Sequence, residues 1–117
     1  MNDTPVFSHA AAAAPHSLAA QAGRDILVQG GNAIEAMVAM AATIPVVYPH
    51  MNSLGGDGFW LIREPGGKVR AIETCGFAGA KANAALYRSV ELEAIPPRGP
   101  LAALTVPGSV GGWALAL

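Results

Sequence analysis

Residues Ala22–Glu35 read AGRDILVQGGNAIE, and this stretch predicts the end of one helix and the start of another. Gly30 is placed to end the first helix, because glycine adopts a left-handed backbone conformation at little cost and lets the last carbonyls find partners. Asn32 is placed to begin the second helix, because its side chain accepts from first-turn amides while Glu35 reaches back to the Asn32 amide. We therefore interpret the turn as architectural.

The two helices are predicted to differ in how they are covered. The first has Ser17 as its N-cap, apolar residues at helical spacing and its end at Gly30. The second is apolar on nearly every face, which is typical of a central helix, and Pro45 either kinks it or ends it one turn early. Its uncharged run, Ala36–Tyr48, has thirteen residues, whereas a bilayer span needs roughly twenty. We therefore expect a buried helix and no membrane span.

The rest of the chain predicts a β-hairpin followed by shorter elements. The turn sequence PGGK separates two strand-forming runs, and the first run lacks clean alternation, so we expect both of its faces to be covered. Residues 1–16 are expected to be a flexible lead-in and residues 17–117 a single domain. The predicted elements are a loop at Tyr48–Asp57, strands at Gly58–Arg63 and Val69–Thr74, a helix at Ala80–Tyr87, a loop at Pro96–Pro100 and a helix from Ser109.

The composition argues against several classes of protein. The 117 residues carry a formal net charge of −1, which offers no basic surface for nucleic acid or an anionic membrane. Charged residues make up only 13%, so we expect another part of the protein to cover much of this surface. Met1–Ser8 does not have the pattern of a secretory signal, and the lone Cys75 excludes an internal disulfide. A reducing compartment, the cytoplasm, is the predicted location.

The candidate binding residues have plainer structural explanations. The segment Asn52–Gly58 (NSLGGDG) has three glycines in four residues, but no Gly-Lys-Ser/Thr follows, and a strand comes next in place of a helix. Tight backbone packing is therefore favoured over nucleotide binding. Asp57 fits a turn cap better than a catalytic carboxylate, and Cys75 fits a small buried residue at a strand end. No metal site is predicted, because the histidines lack ligand spacing: they are His9, His16 and His50.

Four sequence blocks, in order along the chain, carry a family resemblance. The blocks are GRDIL at Gly23–Leu27, GGNAIEA at Gly30–Ala36, LGGDGF at Leu54–Phe59 and VPGSV at Val106–Val110. Through them the stretch from Leu18 to Leu117 resembles the start of the large subunit of the gamma-glutamyltransferase family. The resemblance implies an α/β (α+β) architecture, namely the N-terminal segment of the layered αββα fold of N-terminal-nucleophile hydrolases. Residues 17–117 would then be an incomplete domain.

The resemblance also implies a reaction. Members of the family are made as precursors that cut themselves and expose a threonine, whose hydroxyl attacks an amide carbonyl with its own α-amine as base. We expect no catalytic residue, cofactor or metal in this chain, because none of its threonines has that setting: they are Thr4, Thr43, Thr74 and Thr105. The implied partners are the rest of the precursor, including the small subunit, and a small amide substrate in the complete enzyme.

One departure from the family pattern concerns the substrate. Where gamma-glutamyltransferases have Asp-Phe-Arg-Glu, this chain has Glu-Thr-Cys-Gly, so Cys75 takes the position of the arginine that binds the substrate α-carboxylate. A guanidinium forms a bidentate, charge-assisted pair with a carboxylate, which a thiol cannot do. Gamma-glutamyl specificity is therefore in doubt. Met51–Ile62 resembles the oxamate amidohydrolase-like branch, which we favour over the transferase branch.

Three hypotheses for function remain open from the sequence. The leading one is an N-terminal fragment of a family amidohydrolase, inactive until joined to the rest of the fold, and a final helix that stops mid-pattern at Leu117 favours it. The second is a free-standing non-catalytic module or a remnant of the family. The third is a nucleotide-binding domain, which requires the glycine loop to hold a phosphate.

Overall fold

The first unit of the fold, which extends to Leu54 in the computed structural model, is built on two helices. Helix α1 spans Ser17–Val28 and helix α2 spans Ala33–Val47. The structure describes residues 8–102 and 105–117, and residues 8–16 form neither helix nor strand. The predicted lead-in thus falls partly outside the described ranges, at residues 1–7.

The first helix begins one position away from the expected cap. The backbone is extended at His16, with φ −125° and ψ 136°, and the His16 Nδ1 atom accepts a hydrogen bond from the Leu18 amide at 3.2 Å. Ser17 is already helical. His16 is therefore the N-cap, and the prediction of Ser17 is wrong by one residue, because the imidazole nitrogen reaches the amide that a serine hydroxyl was expected to bind.

The end of α1 confirms the prediction for Gly30. Gly30 has a φ of 88°, its amide donates to the Leu27 carbonyl at 3.1 Å, and the Gly31 amide donates to the Ile26 carbonyl at 2.9 Å. This pair of bonds around a left-handed residue is the Schellman arrangement, which satisfies carbonyls that a helix end leaves unpaired. The chain reverses here because glycine alone takes that conformation without a Cβ clash.

The start of α2 confirms the predicted capping box. Asn32 Oδ1 accepts from the amides of Ile34, at 2.8 Å, and Glu35, at 3.0 Å. The Glu35 carboxylate in turn accepts from the Asn32 amide at 2.7 Å. Three amides at the helix start thus have partners, and one of those partners carries a negative charge at the positive end of the helix dipole.

Helices α1 and α2 pack through small residues. A Cβ placed on Gly23 would lie 2.6 Å from the Met40 Cγ atom, so the methionine side chain lies directly against the glycine. Ala19 on α1 and Ala36 on α2 are also buried. Pro45 lies inside α2, which continues to Val47, so of the two predicted alternatives, a kink or an early end, the early end is wrong.

The prediction that α2 is covered on all sides is not met within this chain. Met37 is 46% exposed and Val46 is 77% exposed. In residues 8–102 and 105–117, α1 is the element that makes extensive contacts with α2. One face of α2 is therefore buried, and other apolar positions remain open to solvent.

The second unit, Gly55–Ala116, is organised around a β-hairpin. Strands β1 (Phe59–Arg63) and β2 (Val69–Glu73) are antiparallel, with Phe59 opposite Glu73 and Arg63 opposite Val69. The Glu64 amide donates to the Lys68 carbonyl at 2.8 Å, and Gly67 has a φ of 84°. This is a three-residue loop with glycine at the left-handed position, which confirms the predicted hairpin and its turn.

The two faces of the hairpin differ in exposure. Trp60, Ile62 and Ile72 lie on one face and are half-buried. On the other face, Phe59 is 71% exposed and Leu61 is 78% exposed. Coverage of both faces, which the run of apolar residues predicted, is therefore absent in the described part of the chain.

Two shorter helices complete the second unit. Helix α3 spans Ala84–Ser89, later than the predicted start at Ala80, because Asn83 Oδ1 accepts from the Ala85 and Leu86 amides and fixes the helix start. Helix α4 spans Ser109–Ala116 and begins where the sequence predicted. Pro96–Pro100 contains no helix or strand, as expected. Across the described residues, no helix has both the length and the apolar character required to cross a bilayer.

We expect Asn32→Ala to lower the free energy of unfolding of the chain by about 1 kcal/mol, since two first-turn amides lose their acceptor. Urea denaturation of the wild-type and variant chains measures the difference. Glu35→Gln is the matched control, because glutamine also accepts from the Asn32 amide, and its effect should be smaller. An Asn32→Ala chain as stable as the wild type would contradict the role of this cap.

Candidate functional site

The glycine loop, Gly55–Gly58, is held by the start of α4. The Gly56 carbonyl oxygen accepts from the Gly108 amide at 3.0 Å, from the Ser109 amide at 3.0 Å and from the Ser109 hydroxyl at 2.8 Å. Ser109 is buried. A helix N-terminus leaves its first amides without intrahelical partners, and here a backbone carbonyl from a distant loop supplies one. The Gly56 carbonyl therefore caps α4.

This arrangement confirms tight backbone packing as the role of the glycine loop. A phosphate-binding loop presents amide donors to its ligand, often together with a helix N-terminus. In this chain the loop presents a carbonyl acceptor, and that carbonyl occupies the N-terminal amides of α4. The geometry therefore disfavours the nucleotide-binding hypothesis at this loop.

Thr74 joins the end of the hairpin to the same loop. Its amide donates to the Gly58 carbonyl at 2.8 Å, and its Oγ1 atom donates to the same oxygen at 3.0 Å. A Cβ placed on Gly112 would lie 2.6 Å from Thr74 Oγ1, and one placed on Gly108 would overlap the Thr74 carbonyl. Gly108, immediately before α4, and Gly112, within α4, therefore both require glycine for the helix to approach the strand end.

Cys75 follows Thr74 and is half-buried. Partial burial raises the pKa of the Cys75 thiol, and the nearby carboxylates of Asp57 and Glu73 raise that pKa further. We refer to these three residues as the acidic thiol site. At neutral pH its thiol is protonated and a poor nucleophile, since the thiolate is the reactive form.

The hairpin register explains why these residues meet. Phe59 lies opposite Glu73, and the Thr74 amide bonds to Gly58, so the same register carried one step further sets Asp57 opposite Cys75. Sequence reasoning named Cys75 but treated Asp57 as a turn cap and assigned no role to Glu73. The signal that would have found them was present, because a three-residue turn fixes the register of both strands.

The electrostatics of the acidic thiol site oppose direct binding of an anion. In residues 8–102 and 105–117 the ion pairs are Arg24–Asp25 and Arg70–Glu64, so no described cation pairs with Asp57 or Glu73. Two carboxylates next to a neutral thiol repel a substrate carboxylate. The site fits a neutral or cationic group of a ligand.

The threonines that lie in the described ranges occupy structural positions. The Thr43 hydroxyl donates to the Ala39 carbonyl within α2 at 2.8 Å, the Thr74 hydroxyl donates to Gly58, and Thr105 lies opposite Ala78 in an isolated β-bridge. Thr4 lies outside the described residues.

The three histidines that were considered as metal ligands likewise make local contacts. His9 Nδ1 lies 2.7 Å from the Ser8 hydroxyl, and His16 caps α1. The His50 ring lies against Tyr48, with 4.2 Å between ring centroids. Among the residues that the structure describes, no group of three His, Cys, Asp or Glu side chains is placed to hold a metal ion.

Sequence comparison identifies relatives over nearly the whole chain. Residues 19–117 match the family model described as gamma-glutamyltranspeptidase. The chain is 56% identical over 117 residues to the oxamate amidohydrolase proenzyme of Klebsiella pneumoniae, covering 100% of this chain and 22% of that protein. It is 38% identical over 101 residues to the glutathione hydrolase proenzyme of Escherichia coli, covering 85% of this chain and 17% of that protein. The chain therefore spans about a fifth of the length of the curated relatives it matches.

Solved structures give the same result for the fold. The gamma-glutamyltranspeptidase of Helicobacter pylori superposes with a TM-score of 0.82 at 29% identity, over 96% of this chain and 33% of that one. The cephalosporin acylase of Bacillus halodurans superposes with a TM-score of 0.79 at 39% identity, over 85% of this chain and 18% of that one. These neighbours confirm the predicted fold class, a mixed α/β part of an N-terminal-nucleophile hydrolase fold.

We expect Asp57→Asn to lower the pKa of the Cys75 thiol, because the substitution removes a negative charge that disfavours the thiolate. More thiolate is then present at pH 8, and alkylation by iodoacetamide becomes faster. Cys75 is the one cysteine of the chain, so loss of free thiol reports it directly. Glu93→Gln is the matched control, since it makes the same charge change at a carboxylate that does not act on the thiol. Equal alkylation rates in Asp57→Asn and wild type would contradict the acidic thiol site.

Proposed function

Because the chain belongs to the gamma-glutamyltranspeptidase family, we propose that it is the N-terminal segment of an amidohydrolase precursor that acts on a small amide. In the complete enzyme, the hydroxyl of an N-terminal threonine outside this chain attacks the amide carbonyl, and the α-amine of that threonine acts as base. Water then resolves the acyl-enzyme. The matched relatives are named as proenzymes, and this chain spans about a fifth of their length, which supports the placement of the nucleophile elsewhere.

The observation that carries the proposed substrate class is the environment of Cys75. In the family resemblance this position belongs to the arginine that binds the α-carboxylate of a gamma-glutamyl group. Here a protonated thiol lies near Asp57 and Glu73 instead. A site with this charge offers no favourable pairing to a carboxylate. We therefore assign a substrate that places no carboxylate beside Cys75.

A short amide acid meets this requirement. In a gamma-glutamyl compound, three carbons separate the scissile carbonyl from the α-carboxylate, and the enzyme must hold that distant charge. In oxamate, the carboxylate is bonded directly to the amide carbonyl, so it stays beside the reacting threonine and does not extend to residue 75. The greater identity to the oxamate amidohydrolase proenzyme, 56% against 38% for the glutathione hydrolase proenzyme, supports the same branch.

The exposed apolar surfaces support the proposal that the rest of the precursor is the partner of this chain. Phe59 and Leu61 leave one hairpin face open, and Val46 does the same on α2. Apolar patches of this kind are normally covered in a stable protein. We assign their coverage to later segments of the same precursor. Cytoplasm remains the proposed location, on the grounds of the single cysteine.

A chimeric precursor tests the substrate assignment. The 117 residues of this chain replace the matching segment of the Klebsiella pneumoniae proenzyme, and the purified product is assayed with oxamate and with a gamma-glutamyl anilide. We expect hydrolysis of oxamate and little release of the aniline. Cys75→Arg should raise kcat/KM for the gamma-glutamyl anilide about tenfold or more, since one charge-assisted pair contributes about 1.5–3 kcal/mol.

Cys75→Ser is the matched control for that substitution, because it keeps the size of the side chain and adds no charge. The Cys75→Ser chimera should keep the preference of the wild-type chimera for oxamate over the gamma-glutamyl anilide. A wild-type chimera that hydrolyses the gamma-glutamyl anilide as efficiently as oxamate would show that the amidohydrolase assignment is wrong.

The reading frame beyond the Leu117 codon distinguishes the precursor hypothesis from the hypothesis of a free-standing module. We expect the source DNA to continue in frame for several hundred codons, because the chain spans only 22% of the oxamate amidohydrolase proenzyme. Sequencing of the adjoining DNA and mass spectrometry of the natural protein measure this directly. A stop codon after Leu117, together with a natural protein of 11.9 kDa, would favour a non-catalytic module.

A further inference from the structure

Thr74 occupies a central position relative to the acidic thiol site. It lies between Glu73 and Cys75 in sequence, and it donates two hydrogen bonds to Gly58, the residue that follows Asp57. Every member of the site is therefore next to Thr74 or next to its hydrogen-bond partner.

The Thr74 side chain is confined on two sides. A Cβ on Gly58 would lie 2.6 Å from Thr74 Oγ1, so the loop packs against the hydroxyl. A Cβ on Gly112 would lie 2.6 Å from Oγ1 and 3.2 Å from Cγ2, so α4 packs against both branches. The side chain thus fills the space between the glycine loop and α4, and a change of rotamer would direct a branch into one of them.

The hydrogen bond from the Thr74 hydroxyl to the Gly58 carbonyl also lies where the pairing of the two strands ends. The last paired residue of β2 is Glu73, and the Thr74 amide makes the next bond across to Gly58. The last hydrogen bond between two strands is readily replaced by bonds to water, so the end of the strand pair opens more easily than its centre. The second bond to the same carbonyl, from Oγ1, holds this end of the hairpin closed.

We propose that Thr74 is a positioning residue, whose hydroxyl keeps Cys75 opposite Asp57 and so sets the substrate preference at residue 75. This inference rests on the proposed function, because it assigns a support to the residue that discriminates between substrates. Thr74 itself touches no substrate. It acts by fixing the backbone on both sides of the acidic thiol site.

A double-mutant cycle in the chimeric precursor tests the positioning directly. Alkylation of Cys75 is followed against pH by mass spectrometry of its peptide, in wild type, Asp57→Asn, Thr74→Val and the double variant. Asp57→Asn should shift the wild-type profile to lower pH. In the Thr74→Val background the same substitution should shift it less, because valine keeps the shape of threonine but lacks the hydroxyl. Equal shifts in the two backgrounds would overturn the proposal.

Steady-state kinetics provide a second readout. A displaced residue 75 holds the distant carboxylate of a gamma-glutamyl group less well, so Thr74→Val added to Cys75→Arg should raise KM for the gamma-glutamyl anilide about fivefold over Cys75→Arg alone, while kcat is retained. Thr74→Ser added to Cys75→Arg keeps the hydroxyl and should show the KM of Cys75→Arg alone. Ile72→Val is the matched control, since it removes a methyl group from the same strand and leaves the hydroxyl bond in place. A fall in kcat at constant KM when Thr74→Val is added to Cys75→Arg would indicate loss of active protein only, and would overturn the proposal.

The two failures are distinguishable. A wild-type chimera with no oxamate hydrolysis overturns the proposed function, whereas the alkylation cycle still decides the role of Thr74. If Thr74→Val does not accumulate as folded precursor, Thr74→Ser decides instead. A serine variant whose alkylation no longer responds to Asp57→Asn would overturn the proposal, and a serine variant with the wild-type response would support it.

Discussion

The second unit depends on the carbonyl oxygen of Gly56. This single acceptor takes three hydrogen bonds from the start of α4, two from amides and one from the Ser109 hydroxyl. The bonds form only if the start of the helix comes within contact distance of the loop. At Gly108, just before the helix, a Cβ would overlap the Thr74 carbonyl at the end of the hairpin. Gly108 is therefore explained by the close approach of two backbones, whereas Gly58 and Gly112 leave room for the Thr74 side chain.

The acidic thiol site follows from this backbone packing. Once the loop is fixed against α4, Gly58 is placed to accept both bonds from Thr74, and the hairpin register then brings Asp57 opposite Cys75. The two carboxylates have no ion-pair partner among the described residues. Their proximity to the thiol is thus a result of chain geometry, and it persists without any attraction between the charged groups.

Local features, such as helix caps and turns, could be predicted from the sequence. The burial of apolar side chains by distant parts of the protein could not. Three such features each depend on residues within a few positions of one another: the Schellman turn at Gly30, the capping box at Asn32 and the hairpin loop at Gly67. The residue types alone therefore predict them. The exposure of Leu61 and Val46 was misjudged because it depends on which distant surfaces meet those side chains. Of the site, Cys75 was named, whereas Asp57 was interpreted as a turn cap, although the length of the hairpin turn already implied that it lies near Cys75.

The contacts that hold the backbone around residue 75 do not depend on which side chain stands at that position. The backbone on one side of Cys75 is held by the hydrogen bonds of Thr74, and Gly76 lies against the Val106 backbone so closely that a Cβ there would overlap it. Neither restraint involves the Cys75 side chain. A substitution of this side chain therefore leaves the supporting backbone contacts in place. The cost in stability of such a substitution is therefore expected to be small.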